Sequence, residues 1–225
     1  SVKVNFLNIF SLKVFKDTKC PLSISGENYK SHVTDISDLS NDNHLDFKNV
    51  DAQKTEFSEN SFDYIISSNM LHHVPFPIKL FQETHRILKK GGKLIIEEVT
   101  CSLTLQLVTI LMKHEGFDFT KNVWDKNTPA TDADDLWAGN SSIPYLIFSD
   151  KAQFKKNLGD KFNIKYKINC ECLLFLNSGG VTSKTLYLPL PNFFLKFISY
   201  LDKFLSFIAP NIFSLAYKVV LEKKG

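Results

Sequence analysis

The sequence predicts an α/β fold centred on parallel strands, and three observations carry that expectation. Residues 61–99, SFDYIISSNMLHHVPFPIKLFQETHRILKKGGKLIIEEV, pass from strand to helix to strand period within about forty residues. Such a crossover nearly always joins neighbouring parallel strands. Acidic or polar residues stand just past the predicted strands, at Asp35, Asp51, Ser68 and Glu98, the positions that rim one edge of a parallel sheet. The 225 residues are 44% apolar and 23% charged, a balance that supports one sizeable core.

The elements follow in order. Val2 to Phe15 is rich in β-branched and aromatic residues and predicts a strand near Leu12–Phe15. SHVTD at 31–35 predicts a short strand ending at an acid, and 49–51 another. Phe62 to Ser68 is an almost unbroken apolar run, as in a strand buried on both faces. Pro77 suits a first helical turn, and Leu80, Phe81, Ile87 and Leu88 recur at helical spacing. Lys89 and Lys90 suit the helix end, Gly91-Gly92 a left-handed stop, and Lys93–Val99 a second strand. Residues 101–112 predict an apolar helix, 113–145 an irregular aromatic stretch, and 149–158 a helix capped by Ser149 or Asp150. The run 163–176 alternates, placing Ile164, Tyr166, Ile168, Cys170 and Cys172 on one buried face. Residues 192–209 predict an amphipathic aromatic helix whose apolar face caps the core or a pocket, and 213–222 a last strand.

Several classes are excluded. A net charge of +3, evenly spread, gives no footprint for nucleic acid. No charge-free apolar window is long enough to span a bilayer, and a membrane-surface role for the aromatic helix ranks below core capping. Four cysteines are too few for a disulfide scaffold, and the first residues lack a signal-peptide layout, so a cytoplasmic protein is expected. No metal site is expected: Cys170 and Cys172 read as core residues, and the adjacent pair His114-Glu115 cannot form a helical two-ligand face.

The run from Val50 to Val99 resembles the class I S-adenosylmethionine-dependent methyltransferases, of the type 11-like group. It carries Asp51-Ala52, Glu56-Phe57 where Pro-Phe is usual, Asn60-Ser61-Phe62-Asp63, a strand, His72-His73, Arg86 to Gly92, and a strand ending in glutamate. Later pieces, including Trp124, Asn140–Phe148, the Ser-Gly-Gly at 178–180 and the terminal strand, extend the resemblance. It implies a Rossmann-like, doubly wound, seven-stranded and mostly parallel sheet with an irregular insertion and a C-terminal aromatic helix. It implies a single domain over 1–225, with an atypical segment at 1–30 and cap or acceptor-side segments at 113–148 and 178–212. The implied cofactor is S-adenosylmethionine, with Asp35 on the ribose, Asp51 and Ala52 bordering the adenine, and Ser68 beside the methionine part.

The expected function is therefore methyl transfer to a small, partly hydrophobic acceptor. His72 and His73 are the candidate catalytic groups, set against a preferred reading in which one packs in the core and the other caps a loop. One departure bears on this. The family's first strand runs into a glycine-rich loop, where small residues let the backbone approach the cofactor. Here the first sixty residues contain Gly26 alone. A non-catalytic protein of methyltransferase shape, binding a nucleoside or a protein partner, is the alternative.

Overall fold

The computed structural model describes residues 11–15, 31–34, 50–113, 115–135, 138–177 and 188–225, the first two segments by backbone alone. Six strands form one sheet among these residues: β1 Ser11–Phe15, β2 Ser31–Thr34, β3 Phe62–Ser68, β4 Leu88–Val99, β5 Phe162–Cys170 and β6 Ala216–Lys223. Their order is β2-β1-β3-β4-β6-β5. β3 and β4 are parallel, as the crossover predicts. The other four pairings are antiparallel, which corrects the expectation of a mostly parallel sheet. The sheet is mixed because β6 runs back between β4 and β5, and because β1 opposes both of its neighbours. The fold is α/β.

The crossover helix α1 spans Pro77–Ile87, with proline in its first turn. It ends without the expected glycine stop, because β4 begins directly at Leu88. Lys89 to Gly92 form an irregularity in the register against β3, and Gly91 there takes the left-handed φ of +73°. The expected strand at 49–51 does not form at Val50 and Asp51, which have no regular structure. α2 covers Leu103–Met112, where the side chain of Ser102 accepts a hydrogen bond from the Leu105 N–H. Short α3, Ile143–Phe148, is followed by α4, Lys151–Leu158, where Asp150 caps two free backbone N–H groups.

The core lies between the sheet and α1, α3 and α4. Ile65 of β3, Leu94 and Ile96 of β4, and Val219 and Leu221 of β6 face Leu80, Phe81, Ile147, Phe148 and Leu158. Phe81 meets Phe148 and Phe162 edge-on at 6.2 and 6.4 Å.

Two predictions of burial fail. β5 ends at Cys170 and not at 176, and Ile164, Tyr166 and Ile168 are exposed, because β5 is the outer strand of the sheet. Residues 173–177 form a short helix, α5 Leu173–Asn177, reached through Glu171 at φ +60°. The aromatic helix exists as α6, Asn192–Ile208, followed by α7, Pro210–Phe213, but α6 is inverted. Its buried residues are Asp202 and Ser206, while Phe197 and Phe207 are 64% and 85% exposed. The reason is a polar anchor. Asp202 accepts hydrogen bonds from the N–H groups of Cys172, Leu173 and Leu174 at 2.8 to 3.3 Å, which satisfies the N-terminus of α5. No helix among the described residues is long and apolar enough to cross a membrane.

Candidate functional site

Because β3 and β4 run parallel, their carboxyl ends open on the same edge. β3 stops at Ser68, and Asn69 leaves the sheet at φ +48°, a conformation asparagine tolerates. The chain then makes the 3₁₀ turn Leu71–His73. No side chain within the turn caps it. Glu98, the penultimate residue of β4, does so from the neighbouring strand: one carboxylate oxygen accepts from the N–H of Met70 at 2.7 Å and of Leu71 at 2.5 Å. The other oxygen faces Nδ1 of His72 at 2.6 Å. Glu98 has no solvent-accessible surface, and a buried carboxylate needs such partners.

Glu115, arriving from the segment after α2, completes the cluster. Its two oxygens lie 3.2 Å from Nε2 of His72 and 3.3 Å from Nε2 of His73. Nδ1 of His73 lies 3.2 Å from the carbonyl of Ala138. The two imidazole rings are 4.2 Å apart. Burial by itself would lower the pKa of His72, but the carboxylates of Glu98 and Glu115 outweigh it and raise it to about 10.

The segment 115–142 is folded onto this turn through Asn140. The Asn140 N–H donates to the carbonyl of His72 at 2.9 Å. Its side-chain carbonyl accepts from the N–H groups of Asp118 and Ser142, and its amide donates to the carbonyls of Asp118 and Ala130. Gly139 stands beside it, and a Cβ there would push the Glu115 carboxylate aside. The Ala130 N–H also donates to the Pro75 carbonyl at 2.7 Å.

The sequence-predicted residues fall as follows. Asp35 lies outside the described residues, as do Gly26, His114, Trp137 and the Ser-Gly-Gly at 178–180. Asp51 forms a local turn in which Oδ1 accepts from the Gln53 N–H at 2.8 Å and from the Gln53 amide at 3.1 Å. Gln53 in turn accepts from the Phe76 N–H at 3.0 Å, holding the 51–53 loop against the start of α1. Ala52 is buried in the core. Ser68 is half-buried at the end of β3, and the preceding Ser67 is fully buried with a hydroxyl that has no hydrogen-bond partner among the described residues. A second anchor holds the next part of the loop: Glu83 of α1 accepts from the N–H and hydroxyl of Thr55 at 2.8 and 2.5 Å and pairs with Arg86.

A methyltransferase domain model matches residues 23–96, which include β2, β3, α1 and most of β4. Over this stretch, about a third of the chain, the sequence is similar to S-adenosylmethionine-dependent methyltransferases. The chain is 38% identical over 55 residues to a phosphoethanolamine N-methyltransferase 2 of Caenorhabditis elegans, covering 24% of this chain and 13% of that protein. It is 35% identical over 77 residues to a tRNA U34 carboxymethyltransferase of Alteromonas mediterranea, covering 34% of this chain and 22% of that protein. The matches thus span less than a quarter of the length of these curated relatives. Among solved structures, a SAM dependent methyltransferase from Archaeoglobus fulgidus aligns with a TM-score of 0.44 at 13% identity, over 84% of this chain and 74% of that one.

Ser68, Glu98, His72 and Glu115 therefore gather at the carboxyl ends of the parallel strands β3 and β4, with Asp51 on the loop held against the start of α1. Sequence reasoning placed Glu98 at this edge but did not find its partners, nor Glu115 against the histidines. The signal for Glu115 is weak: one acid in an irregular aromatic segment. A shallow basic depression lined by Asn60, His85, Lys90, Lys161 and Lys224 lies by the amino end of β3, at the far end of the sheet.

Proposed function

We propose that the protein is an S-adenosylmethionine-dependent methyltransferase acting on a small, partly hydrophobic acceptor. The methyltransferase-domain match over 23–96 carries the reading, and the parallel β3–β4 pair with its polar carboxyl edge supports it. The cofactor supplies an electrophilic methyl group. Asp35 binds its ribose, Asp51 and Ala52 border the adenine, and Ser68 lies beside the methionine portion. The protein's task is to align the acceptor with the methyl group and exclude water, for which no protein nucleophile is needed. Phe117 and Phe119, stacked at 6.2 Å two and four residues past Glu115, and Tyr145, edge-on to Phe119, support an acceptor with an apolar part. Both ring nitrogens of His72 face carboxylates, and those of His73 face the Ala138 carbonyl and Glu115, so the acceptor itself supplies the nucleophilic lone pair.

Titration calorimetry with S-adenosylmethionine and S-adenosylhomocysteine tests the reading. Both ligands are expected to bind, and Asp35→Ala and Asp51→Ala are each expected to weaken binding by about 10- to 100-fold, the worth of one charged hydrogen bond. No heat with either ligand at millimolar concentration would overturn it in favour of a non-catalytic protein of this shape.

A further inference from the structure

We propose that His72, His73 and Glu115 form a binding site for a divalent transition-metal ion. The three side chains converge from two separate segments, and their ligand atoms all lie within 4.8 Å of one another. The separations from His72 Nε2 to one Glu115 oxygen, 3.2 Å, and from His73 Nε2 to the other, 3.3 Å, are of the size found between donors that share one metal ion. Donors about 2.0–2.1 Å from one zinc at the tetrahedral angle stand roughly 3.3 Å apart.

Three features of the surroundings point the same way. First, the outer nitrogen of each ring is already committed. Nδ1 of His72 donates to the Glu98 carboxylate, whose other oxygen accepts two backbone N–H groups. Nδ1 of His73 meets a backbone carbonyl, which can only accept. Carboxylate and carbonyl are the partners that metal-bound histidines use, and they leave both Nε2 lone pairs directed at Glu115. Secondly, charge balance favours a divalent ion. With Glu115 ionised, both contacts can be hydrogen bonds only if both rings, whose Nδ1 atoms also face acceptors, are imidazolium, two like charges 4.2 Å apart in a site with little water. One divalent cation neutralises Glu98 and Glu115 equally well with both rings neutral. Thirdly, Gly139 leaves room for the Glu115 carboxylate that a Cβ would remove. Two imidazoles and one carboxylate fit zinc, with a fourth position for water or another oxygen donor, and also fit ferrous iron.

The test uses the full chain, stripped with a chelator and dialysed, then titrated with Zn²⁺ or Co²⁺ in the absence of cofactor. One equivalent of zinc is expected to bind, cobalt to give the visible absorption of a tetrahedral site, and the melting temperature to rise with metal. Glu115→Gln and His73→Ala are expected to weaken binding at least tenfold, and Gly139→Ala to do so by displacing the carboxylate; His85→Ala serves as the unaffected control. Circular dichroism checks that each variant is folded, and Glu115→Gln, a near-isosteric change at a partly accessible group, keeps the test available should another variant fail to fold. Zinc binding that is absent, or that survives Glu115→Gln and His73→Ala unchanged, overturns the proposal and leaves protons as the charge that holds the cluster together. Because the readout needs no methyl donor, failure here is separable from failure to bind S-adenosylmethionine.

Discussion

Replacing Glu98 by glutamine tests whether a buried carboxylate holds the turn at the sheet edge. The carboxylate accepts from two backbone N–H groups at 2.7 and 2.5 Å and from His72 at 2.6 Å. Hydrogen bonds to a charged group are worth about 1.5–3 kcal/mol each, and neutral ones roughly half that. Glutamine keeps one oxygen for the two N–H groups, so those two bonds weaken by about 2–3 kcal/mol together. Its amide then opposes Nδ1–H of His72, donor against donor, which adds about 1–2 kcal/mol unless the ring changes tautomer. The total is about 3–5 kcal/mol, a large share of the stability of a typical domain. Urea unfolding followed by tryptophan fluorescence reads this as a fall in midpoint of roughly 1–2 M. Glu97→Gln is the control. Glu97 points to the other face of β4, where it pairs with Lys218 at 3.2 Å in a half-exposed setting, and such pairs are worth about 0–1 kcal/mol. If the two variants unfold at the same urea concentration, Glu98 does not organise the turn and the reasoning is refuted.

Two further predictions concern the anchors elsewhere. Hydrogen bonds from Arg86 and Thr55 hold the Glu83 carboxyl below its ordinary pKa despite burial, so its contribution to stability is full above the unfolded value near 4.5 and is lost as the pH falls through the lowered folded value; the wild type should lose stability between pH 5 and pH 3 more steeply than Glu83→Gln, and parallel acid titrations would count against this assignment. Asp202→Asn should destabilise by about 1–3 kcal/mol, because the buried carboxylate caps three N–H groups of α5, whereas Phe207→Ser on the exposed face of the same helix should change the unfolding midpoint little; a larger loss from Phe207→Ser would mean that the apolar face of α6 is covered.

The elements were legible because they rest on local periodicity. The unbroken apolar run at 62–68, the helical spacing from Leu80 to Ile87, and Asp150 ahead of α4 each depend on residues a few positions apart, and each forms where expected. The parallel pairing of β3 and β4 follows from the same stretch, since the length and handedness of a crossover leave little choice. Placing Ser68, His72 and Glu98 at one edge needed only that topology.

Burial and convergence were not legible, because they depend on which surfaces meet. The alternation in β5 reads as a half-buried strand, yet the strand lies outermost and its apolar side chains stay exposed. The stripe on α6 reads as a core face, but the requirement to satisfy the N-terminus of α5 buries Asp202 and turns the phenylalanines outward. What the amino-acid order determined by itself is the succession of strands and helices and the edge at which the β3–α1–β4 crossover gathers polar residues, because those follow from spacing along the chain. What tertiary structure alone decided is that Glu98, His72, His73 and Glu115 meet. That encounter depends on Asn140 and Gly139 folding a distant irregular segment onto the edge, and neither periodicity nor composition encodes the path of that segment.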